Sequence, residues 1–439
     1  MRTTARRENG WIEPAIVFIF LNSLGFPGNF TLVFGEFLGT VVDYACFLLM
    51  IAIMLITSAE HVEDIVILEL KEKYRSIYLN AGVILICSVI GTRGSPAELI
   101  TCIRLGVTVL FTLWLGERYS IRELLEKVYI AQVIFIVMNL VFVTVFSRFV
   151  YRESASYAND FVGLYSAKNG IGSELAFGIL IQLLLWKEYD DAGQKIRASF
   201  ICVLGVQLVM MLLTHNWGSF LCLGAAVIYL MMKPGNGTRH RLPAGWIFVG
   251  GSVLFLVAAL TVMPIFKPFF DAIGKDATLT GRIPLWEQAL KVLKGDRLIT
   301  GYGYGMFWRD PEAVALIHRG FDEYSFMANM VAGSHNQLIE LLLNTGIAGI
   351  AAYFIAMLDS MKHIYELSES QYRLCSCYII FFTIYCFTER AAGTHEFLTL
   401  FTYYILGVAC NREDTVQENV HLTEITRLVH SREGAGSRR

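Results

Sequence analysis

Charge is what this chain has least of. Only 17% of its 439 residues are charged, whereas 55% are hydrophobic, and the mean hydropathy is +0.52. A soluble protein of this length carries about a quarter charged residues, so a soluble globular chain is excluded. Cysteine is missing from the one long polar stretch. All nine (Cys46, Cys87, Cys102, Cys202, Cys222, Cys375, Cys377, Cys386 and Cys410) lie in or beside apolar blocks. That placement excludes a disulfide framework and a zinc site, and makes Cys375-x-Cys377 small packing residues of a helix. The basic start followed by apolar residues lacks an A-x-A-type cleavage site, and Glu13 and Pro14 interrupt it, so it reads as a retained first span. No linker separates soluble domains. Neither a short repeat nor a pair of inverted halves is visible, which weighs against a transporter.

What the chain does have is apolar blocks of about 15 to 22 residues, long enough to cross a hydrocarbon core as helices. They fall near 12–26, 37–57, 77–91, 98–115, 128–148, 170–186, 198–213, 217–232, 245–264, 337–357, 373–388 and 392–409. The expected fold is an all-α polytopic membrane protein of about twelve transmembrane helices with one large external loop. Its expected parts are 1–264 (helices one to nine), 265–335 (external loop), 336–410 (helices ten to twelve) and 411–439 (a mobile cytoplasmic tail).

Lys and Arg alternate along the loops. Arg2, Arg6 and Arg7, then Lys71/Lys73/Arg75, Arg118/Arg122/Lys127, Lys187/Lys195/Arg197 and Lys233/Arg239/Arg241 mark one side. On the other, 27–36 has none, 92–97 only Arg93 and 389–394 only Arg390. The positive-inside rule then puts both termini in the cytoplasm and the long loop outside. The net charge of −2 says little, and no nucleic-acid partner is expected.

The external loop holds the only extramembrane segment long enough to have structure. Ile283, Trp286, Leu290 and Leu293 recur at helical spacing, which predicts an amphipathic helix over 281–294, capped by Thr280 and ended by Gly295. Gly301-Tyr302-Gly303-Tyr304-Gly305-Met306-Phe307-Trp308 reads as a tight aromatic turn. At the end of the loop, Ser334-His335-Asn336-Gln337 has the form of a capping box, with Ser334 as N-cap. His335 is then expected in the first helical turn, where the macrodipole favours a neutral imidazole suited to general-base work; the plain alternative is a polar interfacial residue. Asn336, Glu340 and Asn344 form a polar stripe at spacing four, either packing glue or the lining of a site.

Cations recur at expected outer helix starts. Arg282 opens the amphipathic helix, an arrangement suited to phosphate oxygens. Lys168-Asn169 stands at the mouth of the sixth span, as a substrate contact or as a snorkelling lysine beside an asparagine. Asp43 and Arg104 share a depth and are expected to pair, structurally or at substrate. His215, in Thr214-His215-Asn216-Trp217, is a second, weaker candidate for catalysis or substrate contact.

Taken together, Thr278-Leu279-Thr280-Gly281-Arg282-x-x-Leu285-Trp286, the Gly301–Trp308 turn, and His335-Asn336-x9-Gly346-x-x-Gly349 resemble the O-antigen ligase and polymerase superfamily, most closely exopolysaccharide polymerases of the succinoglycan type. Lys168-Asn169 matches a family element upstream. The likeness implies a GT-C-like fold and a metal-independent, inverting glycosyltransferase without cofactor. It also implies action on undecaprenyl-diphosphate-linked glycans at the outer face of the bacterial inner membrane, with a chain-length regulator and a flippase as partners. The family's loop histidine falls on His335 and its loop arginine on Arg282. Trp286 stands where ligases often have leucine, and the arginine many members carry near His215 is absent, which leaves a second cation to Lys168 or Arg104. Tyr302, Tyr304, Phe307 and Trp308 are either sugar-stacking rings or loop core. The expected activity is polymerisation of lipid-linked repeats, with His335 as base and with Asn336, Glu340 and the residues above lining the substrate. A ligase moving glycan onto lipid A core or protein, and a secondary transporter using Asp43, Arg104 and Glu340, are the alternatives.

Overall fold

The computed structural model describes residues 10–25, 35–59, 71–92, 96–152, 159–165, 167–232, 243–262, 265, 281–321, 333–390 and 396–411. Thr280, the tail beyond residue 411 and most of 263–280 and 322–332 lie outside them.

Each expected apolar block coincides with one helix. They are α1 Ile12–Ser23, α2 Glu36–Ala59, α3 Arg75–Gly91, α4 Pro96–Arg118, α5 Ile121–Val145, α6 Lys168–Asp191, α7 Ala198–Leu213, α8 Trp217–Met231 and α9 Ala244–Thr261. After the loop come α13 Gln337–Met361, α14 Glu369–Thr388 and α15 Phe397–Cys410. Among the described residues, seven helices are long and apolar enough to cross a membrane, and four more are shorter and apolar. The chain is an all-α polytopic membrane protein. A two-stranded ladder, β1 Tyr151–Arg152 with β2 Asp160–Phe161, sits between α5 and α6.

Between α9 and α13 the described residues of the loop form three short α-helices, α10 Arg282–Val292, α11 Asp296–Thr300 and α12 Pro311–His318. The last two were not legible as helices; α12 starts on Pro311, with the Asp310 side chain capping Glu312 and Ala313 N–H. Helix α10 buries Ile283, Leu285, Trp286 and Ala289 against α9 and α13, in a small core separate from that of the bundle. Its apolar spacing was the legible signal. The glycine before it, Gly281, takes a left-handed conformation at the cap position and offers no side chain; the expected cap residue, Thr280, lies outside the described residues.

Polar contacts sort the helix ends into two groups, as alternating antiparallel helices require. At one end, Glu13 pairs with Lys127, Glu117 with Lys71 and Lys73, and Arg373 with Glu188. At the other end lie the loop, the ladder and every residue of the site described next. Cys375 and Cys377 are buried packing residues of α14.

Candidate functional site

Helix α13 starts two residues later than a Ser334 cap would make it. Asn336 is its N-cap, accepting from Leu338 and Ile339 N–H at 3.0 and 3.1 Å. The Ser334 hydroxyl is engaged elsewhere: it donates to Glu340 at 2.8 Å. The capping box therefore does not form, because a buried carboxylate outcompetes the helix end for the serine. His335 consequently lies before the helix, not in its first turn, with φ +50°. A left-handed histidine costs backbone energy and persists only where its surroundings hold it. The restraint is visible on both sides: the buried Trp286 indole N–H donates to the Ser334 carbonyl at 2.7 Å, and Asn336 is fixed by its cap bonds. Trp286, the departure from leucine noted in the sequence, thus uses its N–H to pin the residue preceding His335.

The imidazole is 41% exposed, and its Nδ1 stands 3.0 Å from Glu389 Oε2. Glu389 sits just past the end of α14 and collects three of the anticipated residues. Arg282 Nη2 lies 3.2 Å from its Oε1, and Arg282 also donates through Nη1 to the Thr388 carbonyl. Asn169 Nδ2 donates to Oε1 at 2.7 Å. Four distant stretches of chain meet on one carboxylate: the starts of α6, α10 and α13, and the end of α14. With Nδ1–H directed at Glu389, the lone pair of that tautomer is on Nε2.

Below this cluster a second carboxylate is fully enclosed. Glu340, 1% exposed, accepts from Ser334, from Trp308 Nε1 at 3.0 Å to each oxygen, from Asn344 at 3.3 Å and from Arg390 at 3.0 Å. Burying a carboxylate costs several kcal/mol unless such donors replace water. Burial opposes the Arg390 charge, yet the Glu340 and Glu396 carboxylates outweigh it and raise its pKa. Within the stripe, Glu340 and Asn344 hold the loop to α13 through Trp308 and Phe307, while Asn336 caps the helix itself.

The aromatic turn divides by residue. Tyr304 is buried, its N–H donating to Ser88 Oγ at 2.9 Å, and burial pushes its phenol well above the ordinary range. It belongs to the loop core. Tyr302 packs over Arg297, 4.5 Å from the ring centroid, and edge-on to Phe307. Trp308 is half-buried against Phe307 and Glu340.

Two further groups lie apart from Glu389. Arg104 pairs with Asp43 at 3.7 Å and lies over the Phe47 ring at 4.3 Å, the mutual partnering anticipated for them. Lys168 pairs at 2.9 Å with Asp160, which also faces His215 Nδ1 at 3.0 Å. Asp160 and Glu389 are the residues that reading the sequence missed. Each is an acid in a short outer segment, and the only available signal was its position near a cationic helix start or beside an arginine.

This fold and site define a multi-pass helical membrane protein with a histidine–carboxylate–arginine centre under a folded cap. Residues 200–354 match the family described as O-antigen ligase. The "Exopolysaccharide production protein ExoQ" of Rhizobium meliloti (strain 1021) is 29% identical over 204 residues, 44% of this chain and 43% of that protein. The alignment thus spans less than half of the relative's length. Both findings support the O-antigen ligase and polymerase superfamily, of the exopolysaccharide type. The matched stretch contains Arg282, His335 and Gly346, whereas Asn169 and Glu389 lie outside it.

Proposed function

We propose that the protein polymerises undecaprenyl-diphosphate-linked oligosaccharide repeats into exopolysaccharide or O-antigen at the outer face of the bacterial inner membrane. The observation that carries this reading is the convergence of His335, Arg282 and Asn169 on Glu389, at the helix ends opposite the Lys- and Arg-rich loops. By the positive-inside rule those basic loops and both termini are cytoplasmic, so the site faces outward. The similarity to an exopolysaccharide production protein favours polymerisation; the family's description as O-antigen ligase favours transfer of glycan onto lipid A core or protein as the second reading.

In the proposed step an acceptor sugar hydroxyl oxygen attacks the anomeric carbon of the donor glycan from the face opposite its diphosphate. The new C–O bond forms as the bond to the diphosphate oxygen breaks, inverting the centre. Nε2 of His335 takes the hydroxyl proton, and undecaprenyl diphosphate leaves with the electron pair. Glu389 holds the ring with Nδ1–H inward and balances the charge it gains, while Arg282 meets the charge growing on the leaving group. In this reading the Arg282 guanidinium supplies that charge, and the transfer proceeds without a metal. A chain-length regulator and a flippase are proposed as partners.

Measuring glycan from a His335→Ala strain tests this. Polymer is expected to fall by about 10²- to 10⁴-fold, the usual contribution of a general base, with the variant still present in the membrane. Single repeats accumulating on the carrier support polymerase, and long chains on the carrier support ligase. Normal yield and chain length would remove the enzyme reading.

A further inference from the structure

His335 has a structural counterpart. The two non-glycine residues with positive φ among those described are His215 and His335, each at +50°. Each precedes an asparagine that caps a helix: Asn216 accepts from Ser219 N–H at the start of α8, as Asn336 does at the start of α13. Each imidazole presents Nδ1 to a carboxylate at 3.0 Å, Asp160 or Glu389. Each carboxylate also holds a cation, Lys168 at 2.9 Å or Arg282 at 3.2 Å. The two units are joined by consecutive residues, since Lys168 belongs to one and Asn169 to the other. Asn216 Nδ2 reaches the Asn169 carbonyl at 3.3 Å across the join.

The units differ in what they face. Gln337, which follows Asn336, is buried, although the His335 ring before it is 41% exposed. Trp217, which follows Asn216, is 68% exposed, and Leu212, Leu213 and Leu221 around it are exposed as well. An indole and leucines bare to the surroundings at a helix end mark the lipid-facing rim near the headgroup level. The second unit is therefore reached laterally from the bilayer, with Asp160 enclosed at 3% exposure behind the partly exposed Lys168 and His215.

We propose that Asp160, His215 and Lys168 form a second headgroup site, which holds the diphosphate and first sugar of a second lipid-linked glycan. This rests on the polymerase reading, because that reaction joins two molecules that both carry a polyprenyl diphosphate. Lys168 supplies an ammonium for phosphate oxygens. With Nδ1–H directed at Asp160, Nε2 of His215 is the acceptor for a sugar hydroxyl. The bridge through Lys168-Asn169 brings the two headgroups to adjoining positions, one as donor and one as acceptor, and this adjacency favours attack of one on the other.

Counting bound lipid tests the site without measuring activity. The full chain is placed in phosphatidylcholine nanodiscs, titrated with undecaprenyl diphosphate and weighed intact by native mass spectrometry. Two lipids are expected on the wild type. Lys168→Met and His215→Gln should each weaken one of them at least tenfold, while Arg282→Ala weakens the other. A single lipid on the wild type overturns the proposal whatever the variants do, as does a Lys168→Met protein that keeps both. Displacement of the second lipid by phosphatidylglycerol or by inorganic pyrophosphate at equal concentration would also overturn it, since the site would then take any anionic headgroup or free phosphate. If the wild type binds one lipid while His335→Ala abolishes polymer, only this inference fails; if His335→Ala leaves polymer normal, the polymerase reading itself fails.

Discussion

Glu389 determines how His335 presents its ring. The imidazole is 41% exposed, and the carboxylate 3.0 Å from Nδ1 restrains its orientation. Glu389→Gln keeps the size and one acceptor but removes the charge that would stabilise an imidazolium. Polymer synthesis by this variant is expected to fall by roughly 10²-fold, within the range for general acid–base contributions, and Glu389→Asp should recover part of it. Turnover of lipid-linked repeat in membranes with matched protein levels reads this out. A drop accompanied by loss of the protein from the membrane would instead make Glu389 a structural tie. Glu340 is such a tie. Enclosed with Arg390, Trp308 and Ser334, it should lose about 3 to 5 kcal/mol of stability on replacement by Ala, the cost of breaking a buried pair, seen as missing protein and a lower unfolding temperature in detergent. The sequence placed Glu340 correctly on a polar stripe but could not say whether the stripe faced substrate or the loop. That depended on where Trp308 and Arg390, 32 and 50 residues away, came to lie.

At the scale of elements, two separate sequence motifs turn out to be one joint. Helix α13 is interrupted at Gly346, with φ +63° and ψ −166°. An interruption there leaves the Leu343 and Asn344 carbonyls without their intrahelical donors. The turn supplies replacements: Tyr302 N–H donates to Leu343 O at 2.9 Å and Gly303 N–H to Asn344 O at 2.8 Å. A Cβ on Gly346 would overlap the Ile299 carbonyl, and one on Gly301 would overlap the Asn344 backbone. A Gly→Ala exchange at a compatible position stabilises by about 0.4–1 kcal/mol, whereas Gly346→Ala, at positive φ and against the Ile299 carbonyl, is expected to destabilise by more than that, and to loosen the cap enough that limited proteolysis cuts between α10 and α12. An unchanged unfolding temperature and cleavage pattern would show that α13 tolerates a continuous helix here. The interruption is local and filled by the cap's own backbone, unlike the paired broken helices that build transporter sites. Asn336→Ala, which removes a cap, should cost about 1 kcal/mol and lower the unfolding temperature by only a few degrees, with the larger effect on activity through His335.

For the whole molecule, the alternation of helix directions puts the basic loops at one end and both histidine units at the other. If the basic end is cytoplasmic, Glu312→Cys, in the exposed part of the cap, will react with a membrane-impermeant maleimide on intact spheroplasts. Asp190→Cys, at the opposite end, will react only after lysis; both are made with Cys202 replaced by Ser to remove the exposed native thiol. Labelling of Asp190→Cys in intact cells would invert the topology and take the site away from the outer face.

Reading the residues in order was enough for the class of fold and its apolar helices, and it singled out His335, Arg282 and Lys168-Asn169 as candidates. Long apolar runs, loop charge and helical spacing are local properties, and the bilayer turns them directly into spans and directions. It was not enough for Glu389 or Asp160, for the cap of α13, or for the likeness between His215 and His335. The two acids meet their histidine and asparagine partners across 54 to 220 positions of chain, and the cap and the likeness rest on side-chain hydrogen bonds and backbone angles. A glutamate or aspartate in a short loop has no periodicity or spacing to mark it, and becomes part of a site only when packing of the bundle brings helix ends around it.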